Sequence, residues 1–214
     1  MGSGDAIVPE VTTRIFECRF SSLVDFGCGI GKWGYLTKVR LKMIGDSAFM
    51  VGCDVWLPNL EFCKEHEVYD DCVRCDIRAI PFMERSFDVV VACEVLEHLT
   101  KPEGHAFIGQ VERTASRNLI ISTPNGEWHQ ESLLGNDFQR HRSAWVSAEL
   151  SELGFRVAGV GGFSAGTRRK LLKYLGRGKG LPALGSVILM LAGILSPRIP
   201  RLGTELVASK RTDG

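Results

Sequence analysis

Apolar residues in this chain gather in short, nearly unbroken runs. Between the runs they recur every three or four positions. Runs fall at residues 23–26, 49–55, 72–77, 87–92, 118–126, 155–162 and 204–211. A stretch such as Phe87-Asp88-Val89-Val90-Val91-Ala92 barely alternates, which fits a strand buried on both faces of a parallel sheet. The intervening segments predict helices over 11–20, from 32 to about 43, over 57–67 after Pro58, over 104–114 and over 147–153, where Gly154 ends the last. Strands alternating with helices define an α/β fold with helices on both faces of the sheet.

The chain's 214 residues suit one domain with room for an embellishment. A formal net charge of +1 hides an asymmetry. Residues 1–162 hold 16 Lys/Arg against 23 Asp/Glu (−7), whereas residues 163–214 hold 10 against 2 (+8). Much of that basic charge lies in "TRRKLLKYLGRGKG", which supplies Arg168, Arg169, Lys170, Lys173, Arg177 and Lys179. The apolar run 181–195 follows, bracketed by Pro182 and Pro197. It is shorter than the roughly 20 residues that a membrane-spanning helix needs. The domain is therefore divided into 1–162 and 204–214, with 163–203 inserted before the last strand. That insertion is expected to be a flap over the substrate, a dimer surface, or a peripheral membrane contact through 168–197. Aromatics are sparse there, so nucleic acid is not the expected partner. Seven cysteines, an odd number, and no apolar segment of secretory form near the first residues point to reduced thiols and a cytoplasmic protein. The lone Cys72-x-x-Cys75 pair is read as two ordinary thiols rather than a zinc site.

Candidate chemistry concentrates in "LVDFGCGIGKWG", residues 23–34. Glycines between a strand and a helix let backbone N–H groups approach a ligand that a Cβ would exclude. Gly29-x-Gly31-x-x-Gly34 matches the dinucleotide fingerprint, and Asp54 lies 20 residues past Gly34, where a ribose-binding acid belongs. The same stretch also reads Asp25-x-Gly27-x-Gly29-x-Gly31. An aspartate before the glycines would repel a pyrophosphate and suits a cationic ligand.

With these residues the chain resembles the class I S-adenosylmethionine-dependent methyltransferases, among them the ubiquinone-pathway O-methyltransferases and their relatives. "VDFGCGIGKWG" resembles the first motif, "GCDVW" the second, "RCDIRAIPF" the third and "FDVVVACEVLEHL" the fourth. The resemblance implies a Rossmann-like, seven-stranded, mostly parallel sheet whose last strand is antiparallel. It implies a cofactor set of Asp25, Gly27, Cys28, Gly29, Gly31, Asp54, Asp76, Ile77 and Cys93. In that set Asp54 takes the ribose hydroxyls, Asp76 the adenine amine, and the Ile77 backbone meets the ring.

Glu94, Glu97 and His98 follow the fourth strand directly. If a helix starts there, spacings of three and four residues put them on one face. Two carboxylates and an imidazole so placed make a candidate divalent-metal site. A capped helix start with no metal, or His98 as a metal-free base, are the plainer readings. The long polar loop 122–145 leaves the same end of the sheet and carries His129, His141 and Arg142. Here the chain is also similar to small-RNA 2′-O-methyltransferases, which implies Mg²⁺ on Glu94, Glu97, His98 and His141. "HRSAW" lacks their flanking acidic and aromatic residues, and no separate RNA-binding domain is present. Together these observations predict methyl transfer from S-adenosylmethionine to an oxygen of a small-molecule, lipid or glycan-lipid acceptor, with His98, His141 and Glu94 as the candidate catalytic residues. A metal-assisted RNA 2′-O-methyltransferase, an NAD(P)-dependent oxidoreductase and a non-catalytic methyltransferase-like partner protein are the competing expectations.

Overall fold

The computed structural model describes residues 4–132, 135–161 and 195–212. Seven strands form one sheet: β1 (Ser22–Phe26), β2 (Phe49–Asp54), β3 (Asp71–Arg74), β4 (Phe87–Cys93), β5 (Ala115–Pro124), β6 (Arg156–Val160) and β7 (Glu205–Arg211). Their order is β3-β2-β1-β4-β5-β7-β6. The first five are parallel, with Asp25 level with Gly52 on one side and Val91 on the other. β7 is antiparallel to both β5 and β6. This is the mostly parallel, Rossmann-like sheet that the motifs imply, and it includes the reversed last strand.

Helices cover both faces. On one lie α1 (Val8–Ile15), α2 (Lys32–Met43) and α3 (Leu57–Glu65); on the other lie α4 (Lys101–Thr114) and α5 (Ser147–Glu152). Period-two alternation divides the strands between two cores. Leu23, Met50, Val89, Val91, Ile120 and Val207 pack under α1–α3. Val24, Val51, Val90, Leu119, Ile121 and Leu206 pack under α4 and α5. Arg14 anchors α1: it is buried, pairs with Glu10 and donates to Ser209 on β7.

Several boundaries differ from the pattern. The first helix begins earlier than 11–20, because Pro9 sits at its start and the chain leaves the helix after Ile15. β3 stops at Arg74, which puts Asp76 and Ile77 in the following turn. No α-helix starts at Glu94. Its φ is +56°, and only a single 3₁₀ turn, Leu96–His98, precedes α4. α4 starts instead at Lys101, where Glu103 Oε2 accepts from the Thr100 N–H (2.9 Å) and hydroxyl (2.6 Å).

Of the 163–203 insertion only its return is described. There Ser196 O accepts from the Gly159 N–H (3.2 Å), and Asn125 Nδ2 donates to Gly203 O (2.7 Å). The basic stretch and the apolar run up to residue 194 lie outside the described residues, and with them the flap, membrane and dimer expectations. Among the described residues no helix is long and apolar enough to cross a membrane.

Candidate active site

The turn after β1 is built on three glycines with positive φ: Gly27 (+68°), Gly29 (+54°) and Gly31 (+86°). At Gly31 a side chain would be strained, and its Cβ would also press on Val68 and Cys63. The turn is pinned by Cys28 N–H to Cys53 O (2.9 Å) and Gly31 N–H to Cys28 O (2.9 Å). Gly34 opens the first turn of α2, where a Cβ would overlap the Tyr69 ring.

Two acids flank this turn. Asp54 ends β2; its Oδ2 accepts from the Gly29 N–H (2.9 Å) and Asn59 Nδ2 (3.0 Å), and its Oδ1 from the Trp56 N–H (2.8 Å). The acid expected to hold the ribose is thus fastened to the glycine turn itself. Asp25 is fully buried on β1. Tyr69 Oη donates to its Oδ2 (2.6 Å) and accepts from the Gly34 N–H (3.2 Å). Asp25 Oδ1 is buried with no hydrogen-bond partner among the described residues. Burial pushes the carboxyl up to about 7, against the pull of the Tyr69 bond and with a smaller push from Asp54. An unmatched acceptor of this kind fits a cationic ligand end better than a phosphate.

Asp76, in the turn after β3, is paired with Arg78, which holds its carboxyl below the ordinary range. An adenine amine there would share the carboxylate with that guanidinium. Ile77 packs half-buried against the core beneath. Cys93 ends β4, buried, and desolvation pushes its thiol well up.

Beyond β4 the residues split into two clusters. Glu94 folds back on β5: its N–H donates to Ser122 O (3.0 Å), and Ser122 Oγ donates to its Oε1 (2.8 Å). Its carboxyl also pairs with Glu205. Burial raises both acids, Glu94 to about 7 and Glu205 to about 8, the latter with a further push from the Glu94 charge. Glu205 starts β7, opposite Pro124 at the end of β5, so reversal of the last strand delivers it to the functional end of the sheet. Its Oε2 is buried without a partner among the described residues.

The second cluster is Glu97, His98 and His141, with one ligand atom from each within 4.8 Å of the others. Glu97 is only 2% exposed and accepts from Thr123 Oγ1 (3.1 Å). Desolvation, and then the Glu94 charge, raises its carboxyl well above the usual range. The Glu97 carbonyl accepts from the Arg142 (2.8 Å) and Ser143 (3.1 Å) N–H groups, which clamps the loop that brings in His141. The His141 N–H donates to Gln130 O (3.0 Å), and the ring Nδ1 lies 2.8 Å from Trp128 O. His98 Nδ1 lies 3.3 Å from Arg140 O, and the two rings are 5.1 Å apart. Carbonyls at both Nδ1 atoms favour the tautomer that leaves Nε2 as a free lone pair. Burial lowers both imidazoles, His98 to about 4, so both are neutral at pH 7. Of the four residues expected to gather around a metal, three meet, and Glu94 is bonded to Ser122 and Glu205 beside them. His129 is exposed and outside the cluster. Glu205, Tyr69, Asn59 and Thr123 complete the site without having stood out in the sequence.

A glycine turn fastened to the acid that ends β2, on a seven-stranded sheet with a reversed last strand, is the arrangement that the resemblance to class I S-adenosylmethionine-dependent methyltransferases implies. The family model described as a methyltransferase domain matches residues 24–118. The chain is 27% identical over 224 residues to the O-methyltransferase cnsE of Penicillium expansum, covering 97% of this chain and 78% of that one. Its fold is similar to the methyltransferase domain of bacterial CtHen1-CN, with a TM-score of 0.57, 18% identity and 94% and 95% of the two chains covered. It is also similar to magnesium protoporphyrin IX methyltransferase from Synechocystis PCC 6803, solved with bound S-adenosylhomocysteine, with a TM-score of 0.55, 16% identity and 97% and 80% covered. The chain is accordingly a methyltransferase that uses S-adenosylmethionine.

Proposed function

We propose that this methyltransferase delivers the methyl group to an oxygen of a small-molecule or lipid-like acceptor, at the end of β4 and β5 where Glu97, His98 and His141 meet. The observation that carries the reading is this trio: one buried carboxylate and two neutral imidazoles, each imidazole steadied through Nδ1 by a backbone carbonyl. The sulfonium is already a strong electrophile, and holding the acceptor in line with the methyl supplies much of the rate. A neutral hydroxyl asks for more, because its proton must leave as the C–O bond forms and the C–S bond breaks. A neutral histidine can accept that proton.

The donor set also fits a divalent cation, with Glu97, His98 and His141 as its ligands. Two imidazoles and a carboxylate suit Mn²⁺ or Co²⁺ better than Mg²⁺, which prefers an all-oxygen shell. Bound there, such an ion would lower the pKa of an acceptor hydroxyl and orient it. The similarity to a fungal O-methyltransferase supports oxygen as the acceptor atom.

The test is S-adenosylhomocysteine release from S-adenosylmethionine over a panel of phenols, carboxylates, lipid alcohols and amines, in EDTA and with added Mn²⁺, Co²⁺ or Mg²⁺. Turnover of hydroxyl acceptors that collapses in EDTA and returns with Mn²⁺ supports the metal-assisted reading. Turnover unaffected by EDTA but lost in His98→Ala leaves the imidazole as base. Turnover of amines alone overturns the oxygen assignment.

A further inference from the structure

Two thiols that methyl transfer leaves unused meet behind the cofactor turn. Cys28 lies between Gly27 and Gly29, and Cys63 lies in the last turn of α3. Both are buried, at 4% and 0% exposure. Cys63 Sγ lies 3.4 Å from the Gly29 carbonyl oxygen and Cys28 Sγ 3.6 Å from the same atom. Each thiol donates to that one carbonyl, so the two sulfurs converge on a single atom. The turn packs closely on the helix, since a Cβ at Gly31 would be 3.1 Å from Cys63 Sγ.

We propose that Cys28 and Cys63 are a modification site, closing to a reversible intramolecular disulfide under hydroperoxides and thereby disabling the cofactor turn. The step balances with hydrogen peroxide. The Cys63 sulfur attacks one peroxide oxygen, the O–O bond breaks and water leaves, giving a sulfenic acid. The Cys28 sulfur displaces the second oxygen, the S–S bond forms, and a second water carries off the remaining proton. Two electrons pass from the thiols to the peroxide, and a dithiol reductant returns them. The neighbouring Cys28 thiol holds the Cys63 thiol below its usual range, which marks Cys63 as the first nucleophile of the pair.

The consequence for the cofactor follows from the fastening of the turn. An S–S bond of about 2.05 Å is much shorter than any non-bonded approach of two thiols. Closing it draws Cys28 toward α3 and takes the neighbouring Gly29 N–H with it. That N–H is one of the two donors to Asp54 Oδ2, the other being Asn59 Nδ2, so the ribose acid loses its tie to the glycine turn and keeps only its bonds at α3. The effect on binding rests on the reading of this turn as the S-adenosylmethionine cradle.

The experiment oxidises the full chain with hydrogen peroxide and maps cross-linked peptides without reduction, with titration by S-adenosylhomocysteine before and after. The expected result is loss of two hydrogens per chain in a 28–63 cross-link, affinity weakened by about tenfold or more, and recovery with dithiothreitol. Cys63→Ser and Cys63→Ala should bind the ligand, form no such cross-link and lose the peroxide sensitivity, and prebound ligand should slow the cross-link in the native chain. Oxidation that joins other cysteines, or none, overturns the site. A 28–63 cross-link with unchanged affinity overturns the switch. Reduced protein that binds no S-adenosylhomocysteine would count against the cofactor reading, and the peptide map would still decide the disulfide.

Discussion

At the scale of single residues, two aspartates with opposite circumstances flank the glycine turn. Asp54 has every carboxylate bond directed at the turn or at α3. Asp54→Ala should weaken S-adenosylhomocysteine by about 1–3 kcal/mol, and calorimetric titration that finds unchanged affinity would remove it from the ribose role. Asp25 is the strained one. Its pKa of about 7 in the fold stands against 3.8 as the ordinary value. The native state therefore binds more protons than the unfolded chain between those two values, and ligand-free stability falls as pH rises through that window. Tyr69, Asp54, Cys28, Cys53, Cys63 and Cys93 are the titratable groups that interact with it among the described residues. Asp25→Asn removes the dependence, so ligand-free protein should gain on the order of 2–4 kcal/mol relative to wild type at pH 8 and little near pH 4. The same change should weaken the cationic ligand. Thermal melts across pH together with ligand titration check both halves. Asp25 and Asp54 were legible because a motif carries them. Glu205 was not: in "TELVASKR" it reads as the polar start of an apolar edge strand, and only the pairing with Glu94 gives it a role.

At the scale of elements, the sequence pattern was most informative where a backbone constraint sits at a boundary. α2 runs from Lys32 to Met43 as the apolar spacing predicts, because Gly31 in the left-handed region sets its start. The stretch after β4 shows the reverse. Glu94, Glu97 and His98 have the spacing of one helical face, yet Glu94 takes a positive φ so that its N–H and carboxylate both reach Ser122. Tertiary hydrogen bonds overrode the local period, and no reading of spacing alone registers a bond to a strand some 28 residues away. α2 also rests on a close approach. Gly34→Ala would push its methyl into Tyr69, whose hydroxyl serves both Asp25 and Gly34. Overpacking there should cost about 1–3 kcal/mol in stability. Tyr69→Phe, which keeps the ring and loses the hydroxyl, should leave the packing intact and shift the pH dependence instead. Denaturant unfolding of the two variants separates the contributions.

For the whole molecule, the seven strands and their alternating helices were visible in the apolar runs, since a parallel sheet buried on both faces leaves a nearly continuous signature. The association of Glu97 and His98 with His141 was less visible, because it depends on how the Glu97 carbonyl clamps a loop some forty residues downstream. The charge division is a property of the full chain: an acidic body of −7 before residue 163 and +8 after it. If the basic stretch meets anionic head groups, the chain should sediment with vesicles containing phosphatidylglycerol, less so at high salt, and not with neutral ones. Lys170→Glu combined with Lys173→Glu should cut that binding severalfold, whereas binding that ignores both salt and charge reversal would separate the stretch from any electrostatic role.

The place of β7 in the sheet has a bearing on how the protein is made. β6 precedes β7 in the chain, and among the described residues its sheet partner is β7 alone. While the polypeptide is being synthesised, β5 must wait with an open edge and β6 without a neighbour until the final strand slides between them. The same arrival brings Glu205 to Glu94. A chain stalled short of that strand would display the glycine turn and most of the core, with an unsealed sheet edge of the kind chaperones and neighbouring chains recognise. Closure of this side of the sheet and completion of the acidic pair are thus one event.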